Sequence, residues 1–358
     1  MKYEKTLRKL CRVPKLAPEQ IIAVFKKHEG IDVEVIEKNI GKPGFEIRTD
    51  EGLCFITERP IDYYNKRWGR VTGTQERALG LSILLPLHLV GEGDLIKAIY
   101  HINKSDNPKL QADNWLNEIF SIEVLATYFN KFFSTSNSLS EYKTIIFEAI
   151  EAYCLGMDHV AIMSLIPVFE AGLRNIQNAR LNTELNNVSA QVFERRLKEI
   201  IVQWGLRRLD SYIWHPGKHY NPELEIDFLT HICPQSDVIN AFRIFFKNVL
   251  YKPSNGNTDG FNRHLIIHML KNDFNNPANF LRIFLCLTHI TFIESLENNN
   301  VPFSWRGIDS KDRQIAGYLR QISENFGDPR RPLLRLLGIG GYDSQPTIST
   351  TTIEEQTQ

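Results

Sequence analysis

The sequence predicts a mainly α-helical protein with a small α+β region at its N-terminal end. Apolar residues in the second half recur at helical spacing almost throughout, and few stretches there alternate with period two. Alternation does occur between residues 33 and 57, where β-branched and aromatic residues face a polar partner set. The chain has 358 residues and is 42% apolar, long enough for two domains and rich enough to bury a sizeable core.

Taken in order, Ala17 to His28 has a helical row of Ile21, Ile22, Val24 and Phe25. Val33 to Ile36, Phe45 to Thr49 and Leu53 to Thr57 read as strands, with Asp50-Glu51-Gly52 as the turn between the last two. A small antiparallel meander packed on one helix follows, and Pro60 ends it. Tyr63 to Gly73 interleaves aromatic and basic residues, as single-stranded nucleic-acid surfaces do. Lys66, Arg67 and Arg70 are therefore weak nucleic-acid candidates, against the plainer reading of a loop whose cations lie over aromatic packing. Glu76 to Leu89 and Asp94 to His101 read as helices, with Pro86 kinking or ending the first. Residues 104 to 116 are polar and read as a linker, and Asn114 to Phe133 as a helix.

Ser134 to Ser138 is the clearest break, so a domain boundary is expected near 135. Beyond it, Ser140 to Leu155, Asp158 to Asn178, Ala190 to Trp204, a helix opening at Pro234 and Pro277 to Leu296 complete a bundle. The expected divisions are residues 1–135, 136–300, a basic extension over 301–342 and a disordered tail over 343–358. Gly338-Ile339-Gly340-Gly341 is not a phosphate loop, because no strand precedes it and no helix follows.

Lys and Arg total 42 and Asp and Glu total 42, so any polyanion site must be local. The longest apolar runs are broken by Pro, His, Arg or Thr, which predicts no membrane span. The basic start has no apolar run behind it, so no signal peptide is expected. The five cysteines are scattered among apolar residues and read as reduced thiols of a cytoplasmic protein.

The chemistry concentrates in Asn262-Arg263-His264-Leu265-Ile266-Ile267-His268. Asn262 is a good N-cap, and Arg263 and His264 would then lie in the first turn of a helix. A helix start favours anions and the neutral form of an imidazole. His264 and His268, four apart, share a face. Arg263 and His268 lie about 140° apart round an ideal helix, yet the long arginine side chain lets them converge on one ligand.

Arg263, four residues and then His268, beside Asn262 and after a loop, resembles the R-x4-6-H motif of HEPN-domain proteins. Ile166 to Asn175, with Glu170 and Arg174-Asn175, resembles the helix those domains place before the motif. The resemblance covers about residues 140 to 300. It implies a HEPN-like bundle, a metal-independent endoribonuclease site composite across a homodimer, and a role in stress or anti-phage response. Arg263 and His268 would be catalytic, with Asn262, His264 and Glu170 supporting them and positioning phosphate. Many HEPN proteins carry Gly after the motif His; this chain has Met269.

The residue types suit phosphodiester cleavage. The reaction needs a base for the 2′-hydroxyl, an acid for the 5′-oxygen and cationic stabilisation of the transition state. An imidazole and a guanidinium supply these without a cofactor. Two metal readings compete, His264 with His268 and His215 with His219, but a zincin needs Glu after its first His and position 265 is Leu. No G-x-S-x-G elbow exists, and no Cys lies in a polar setting. The other reading is a non-catalytic helical module that binds RNA or protein, with Arg263 paired to an acid such as Glu170.

Overall fold

A computed structural model describes residues 1–13, 15–57, 74–85, 87–184, 186, 189–219, 222–252, 261–270 and 273–339. It is mainly helical and carries one four-stranded sheet. The chain divides into two compact units, residues 1–76 with 195–243, and residues 77–194 with 244–358.

The first unit is built on the expected meander. Strands β1 (Glu34–Asn39), β2 (Pro43–Thr49) and β3 (Gly52–Thr57) pair antiparallel in sequence order. Gly52 supplies the positive φ of +139° that the second turn requires. The helix Pro18–Glu29 starts on a proline, which needs no N–H there, and stops at Gly30 with φ +70°. Its Ile21 and Phe25 enter a core with Phe45, Ile47, Phe55 and Trp214. Trp214 comes from a fourth strand, β4 (Tyr212–Trp214), which pairs parallel with β3. Three residues are too few to show a period, and the sequence gives no sign of this strand.

In the second unit the helix Pro277–Ser295 is buried along its whole length. Asp158–Leu181 and Pro108–Ile119 pack against it. Being apolar on all sides, it has no solvent face to reveal a period. Its few polar side chains are all engaged. Arg282 reaches Asp113 at 2.5 Å and also donates to the Ser82 carbonyl and Asn279. Glu294 accepts from the Ser136 hydroxyl and the backbone N–H groups of Asn137 and Ser138.

These contacts place the Ser134 to Ser138 break inside the second unit, not at the boundary expected near 135. The segment interrupts a helix, but a buried carboxylate satisfies its backbone. The linker expected over 104–116 is mostly helix: Glu92–Lys104 runs to its start, and Pro108–Ile119 follows with Asn107 capping Leu110. The extension over 301–342 contains two helices, Ser310–Ile322 and Asp328–Leu336. Two of its arginines pair with acids outside the extension, Arg320 with Glu123 and Arg331 with Asp158. All five cysteines are buried and free. Among the described residues no helix is long and apolar enough to cross a membrane.

Candidate active site

The predicted catalytic residues Arg263 and His268 and their expected supports Asn262, His264 and Glu170 lie in the second unit. Glu170 sits midway along Asp158–Leu181 and is half-buried. The motif residues form a single helical turn, Arg263–Ile267. The turn stops because Met269 adopts φ +50°, a left-handed conformation that ends helices. The N–H of Leu270 then closes back onto the Leu265 carbonyl at 3.0 Å.

Leu265 and Ile266 are buried and anchor this turn, so the side chains on its other face are turned to solvent. His264 and His268 are both exposed, with ring centroids 4.6 Å apart and planes inclined by 57°. Four-residue spacing produces this approach.

Asn262 caps the turn, as its position predicts. Its Oδ1 accepts from the N–H groups of His264 at 2.9 Å and Leu265 at 3.4 Å. Its Nδ2 donates to the Lys252 carbonyl at 2.6 Å, and the residue is 1% exposed. Phosphate positioning by Asn262 is therefore corrected: the side chain is buried, its amide fixes the loop, and it presents no donor to a ligand.

Arg263 and Glu170 meet in a two-pronged ion pair. Nε donates to Oε1 at 2.7 Å and Nη2 to Oε2 at 3.4 Å. Tyr251 completes the group, its hydroxyl donating to Glu170 Oε1 and its ring lying 5.7 Å from the guanidinium carbon. Burial works against the charge on Arg263, but the hydrogen bond and charge of Glu170 outweigh it and hold the guanidinium pKa above its ordinary value. Burial, then the Glu170 charge, pushes the Tyr251 phenol well up and keeps it protonated as a donor. Glu170 thus orients Arg263 through the Nε edge, and Nη1 takes no hydrogen bond among the described residues. Sequence reasoning missed Tyr251, which follows the irregular end of a helix and belongs to no periodic row.

No hydrogen bond or ring contact joins Arg263 to His268. The other histidine candidate, His215, has a carboxylate partner. It is 1% exposed and its Nε2 lies 2.9 Å from Glu225. Among the described residues no three His, Cys, Asp or Glu side chains gather into a metal-binding group. Lys66, Arg67 and Arg70 lie outside the described residues. A cleft of about 380 Å³ in the first unit, lined by Leu16, Lys38, Asn39 and Phe45 among others, includes none of the predicted residues.

No family model matches the chain, and neither a curated protein nor a solved structure matches it.

Proposed function

We propose that the protein is a metal-independent endoribonuclease of HEPN type, working through Arg263 and His268. One observation carries the reading: a guanidinium oriented by Glu170 and Tyr251 adjoins a turn that presents two exposed imidazoles. Neither imidazole contributes to the core, so their presentation suits reaction with something outside the protein. Arg263 would hold two phosphate oxygens, with Glu170 fixing its plane.

In the proposed reaction, His268 takes the 2′-hydroxyl proton as the 2′-oxygen bonds to phosphorus. The 5′-oxygen leaves with a proton from a second imidazole, giving a cyclic phosphate and a 5′-hydroxyl end. A homodimer with the two motif turns facing each other would supply that second imidazole from the other copy. A defence or stress role remains part of this proposal and rests on the resemblance alone.

The ion pair itself favours a second reading. Arg263 already has a carboxylate partner, as a structural arginine in a non-catalytic binding module would. RNA cleavage in EDTA separates the two. Purified protein should cleave RNA there, and Arg263→Ala and His268→Ala should each lower the rate about a hundredfold to a thousandfold while remaining folded. Folded variants with undiminished cleavage remove both residues from the mechanism. Wild-type protein that binds RNA without cutting it establishes the binding module.

A further inference from the structure

We propose that His264 and His268 form a two-imidazole site for a late divalent transition metal such as Zn²⁺, and that occupancy of this site stops the RNA cleavage proposed above. Binding rests on the geometry of the pair alone; inhibition rests also on the ribonuclease reading.

The two rings lie on one face of one helical turn, 4.6 Å apart between centroids. Two imidazoles on one tetrahedral Zn²⁺, each bonded at about 2.0–2.1 Å, have centroids roughly 5 Å apart. Small rotations of exposed side chains cover that difference. Neither ring takes a side-chain hydrogen bond among the described residues, so no carboxylate must be displaced before a lone pair can reach the metal.

The backbone beneath the rings is already set. Leu265 and Ile266 are buried, and Asn262 caps the turn through Oδ1. The N–H of His268 donates to the His264 carbonyl at 3.2 Å, fixing the rise between the two ligands. The neighbouring cation, Arg263, is balanced by Glu170, which reduces its repulsion of a bound dication.

Ligand count sets the character of the site. With no third His, Cys, Asp or Glu gathered among the described residues, water would complete the coordination shell. Structural zinc sites use four protein ligands, so this site is an exchangeable one that senses the free ion. Neutral imidazoles select Cu²⁺, Zn²⁺ and Ni²⁺ over Mg²⁺, which prefers oxygen ligands. Coordination occupies the ring lone pair that would otherwise accept the 2′-hydroxyl proton. Zn²⁺ would therefore inhibit a reaction that needs no metal, and Mg²⁺ would not.

The experiment is calorimetric titration of the full chain with ZnCl₂, with RNA cleavage measured in parallel. Wild-type protein should bind about one Zn²⁺, and His264→Gln and His268→Gln should each weaken binding by about tenfold or more. Their thermal melts should match wild type, because both positions are exposed. His28→Gln, at an exposed histidine elsewhere, should bind as wild type does. Absence of Zn²⁺ binding, or wild-type affinity in both motif variants, overturns the site. Cleavage that persists at saturating Zn²⁺ overturns the inhibition while leaving the site. Absence of cleavage in EDTA removes the ribonuclease reading and the inhibition with it, and the titration still decides the metal site.

Discussion

The second unit uses the same residue types in two contrasting ways. In its core, Arg282 meets Asp113 with side chains 7% and 11% exposed, and further acceptors satisfy the guanidinium. At the candidate site, Arg263 meets Glu170 with side chains 22% and 13% exposed, and Nη1 takes no bond among the described residues. The histidines divide similarly. His289 is buried, with its ring nitrogens against the carbonyls of Leu285 and Leu85, whereas His264 and His268 face solvent. Partner identity alone does not separate structure from function here. Unused hydrogen-bonding capacity at the surface does.

The largest expected effect is at the core pair. Arg282→Ala leaves the Asp113 carboxylate without its cation and removes the donors serving the Ser82 and Leu81 carbonyls. Stranding a buried charge in this way typically costs about 3–5 kcal/mol. Urea denaturation should show a loss of that size. A loss near that of a surface substitution would mean that the core pair and the site pair are equivalent, and the contrast would fail.

That contrast was only partly legible in the sequence. The meander was readable because half-buried strands alternate, and the long helices because amphipathic faces repeat every 3.6 residues. Asn262 was readable as a cap because caps are local. The end of the motif helix was not legible, because nothing in the sequence shows that Met269 turns left-handed. Glu170 could be named as a possible partner for Arg263, but pairing across so many residues depends on packing, and Tyr251 had no periodic context at all. The boundary near 135 failed for a related reason: Ser136 and Ser138 look like linker residues until Glu294 supplies their hydrogen bonds.

Acidification probes the buried imidazoles. Burial drives the pKa of His289 down to about 4, and burial followed by the charge of His289 does the same for His88. Both therefore bind fewer protons when folded than when unfolded. Stability should be flat above the unfolded value near 6.5, fall as pH drops from there, and level off for these groups below about 4. Each group contributes up to ~3 kcal/mol over that window. His289→Gln should flatten the pH dependence of the denaturation midpoint between 6.5 and 4. An unchanged slope would place the acid sensitivity elsewhere.

At the surface pair the expected stability change is smaller. Arg263→Ala should cost about 1 kcal/mol, because the pair is partly solvated and Glu170 keeps access to water and to the Tyr251 hydroxyl. Paired with the loss of cleavage proposed above, this is the signature of a group positioned for a ligand. A cost equal to that of Arg282→Ala would assign Arg263 to the fold.

The smallest expected effect tests the turn that sets the two surface imidazoles. Met269 holds φ +50°, where a side chain with a Cβ is strained by about 1–2 kcal/mol relative to glycine. Glycine relieves that strain but loses more backbone entropy on folding, about 0.5–1 kcal/mol. Met269 is 56% exposed, so little packing is lost with its side chain. Met269→Gly should therefore stabilise the protein by up to about 1 kcal/mol, read as a higher urea midpoint with an unchanged slope. Because the buried Leu265 and Ile266 and the Asn262 cap set the His264–His268 spacing, Zn²⁺ affinity should stay within about threefold of wild type. A lower midpoint would show that the methionine side chain packs against something that offsets its strain. A large loss of Zn²⁺ affinity with a raised midpoint would show that the strained residue, and not the buried Leu265 and Ile266, holds the two rings in place.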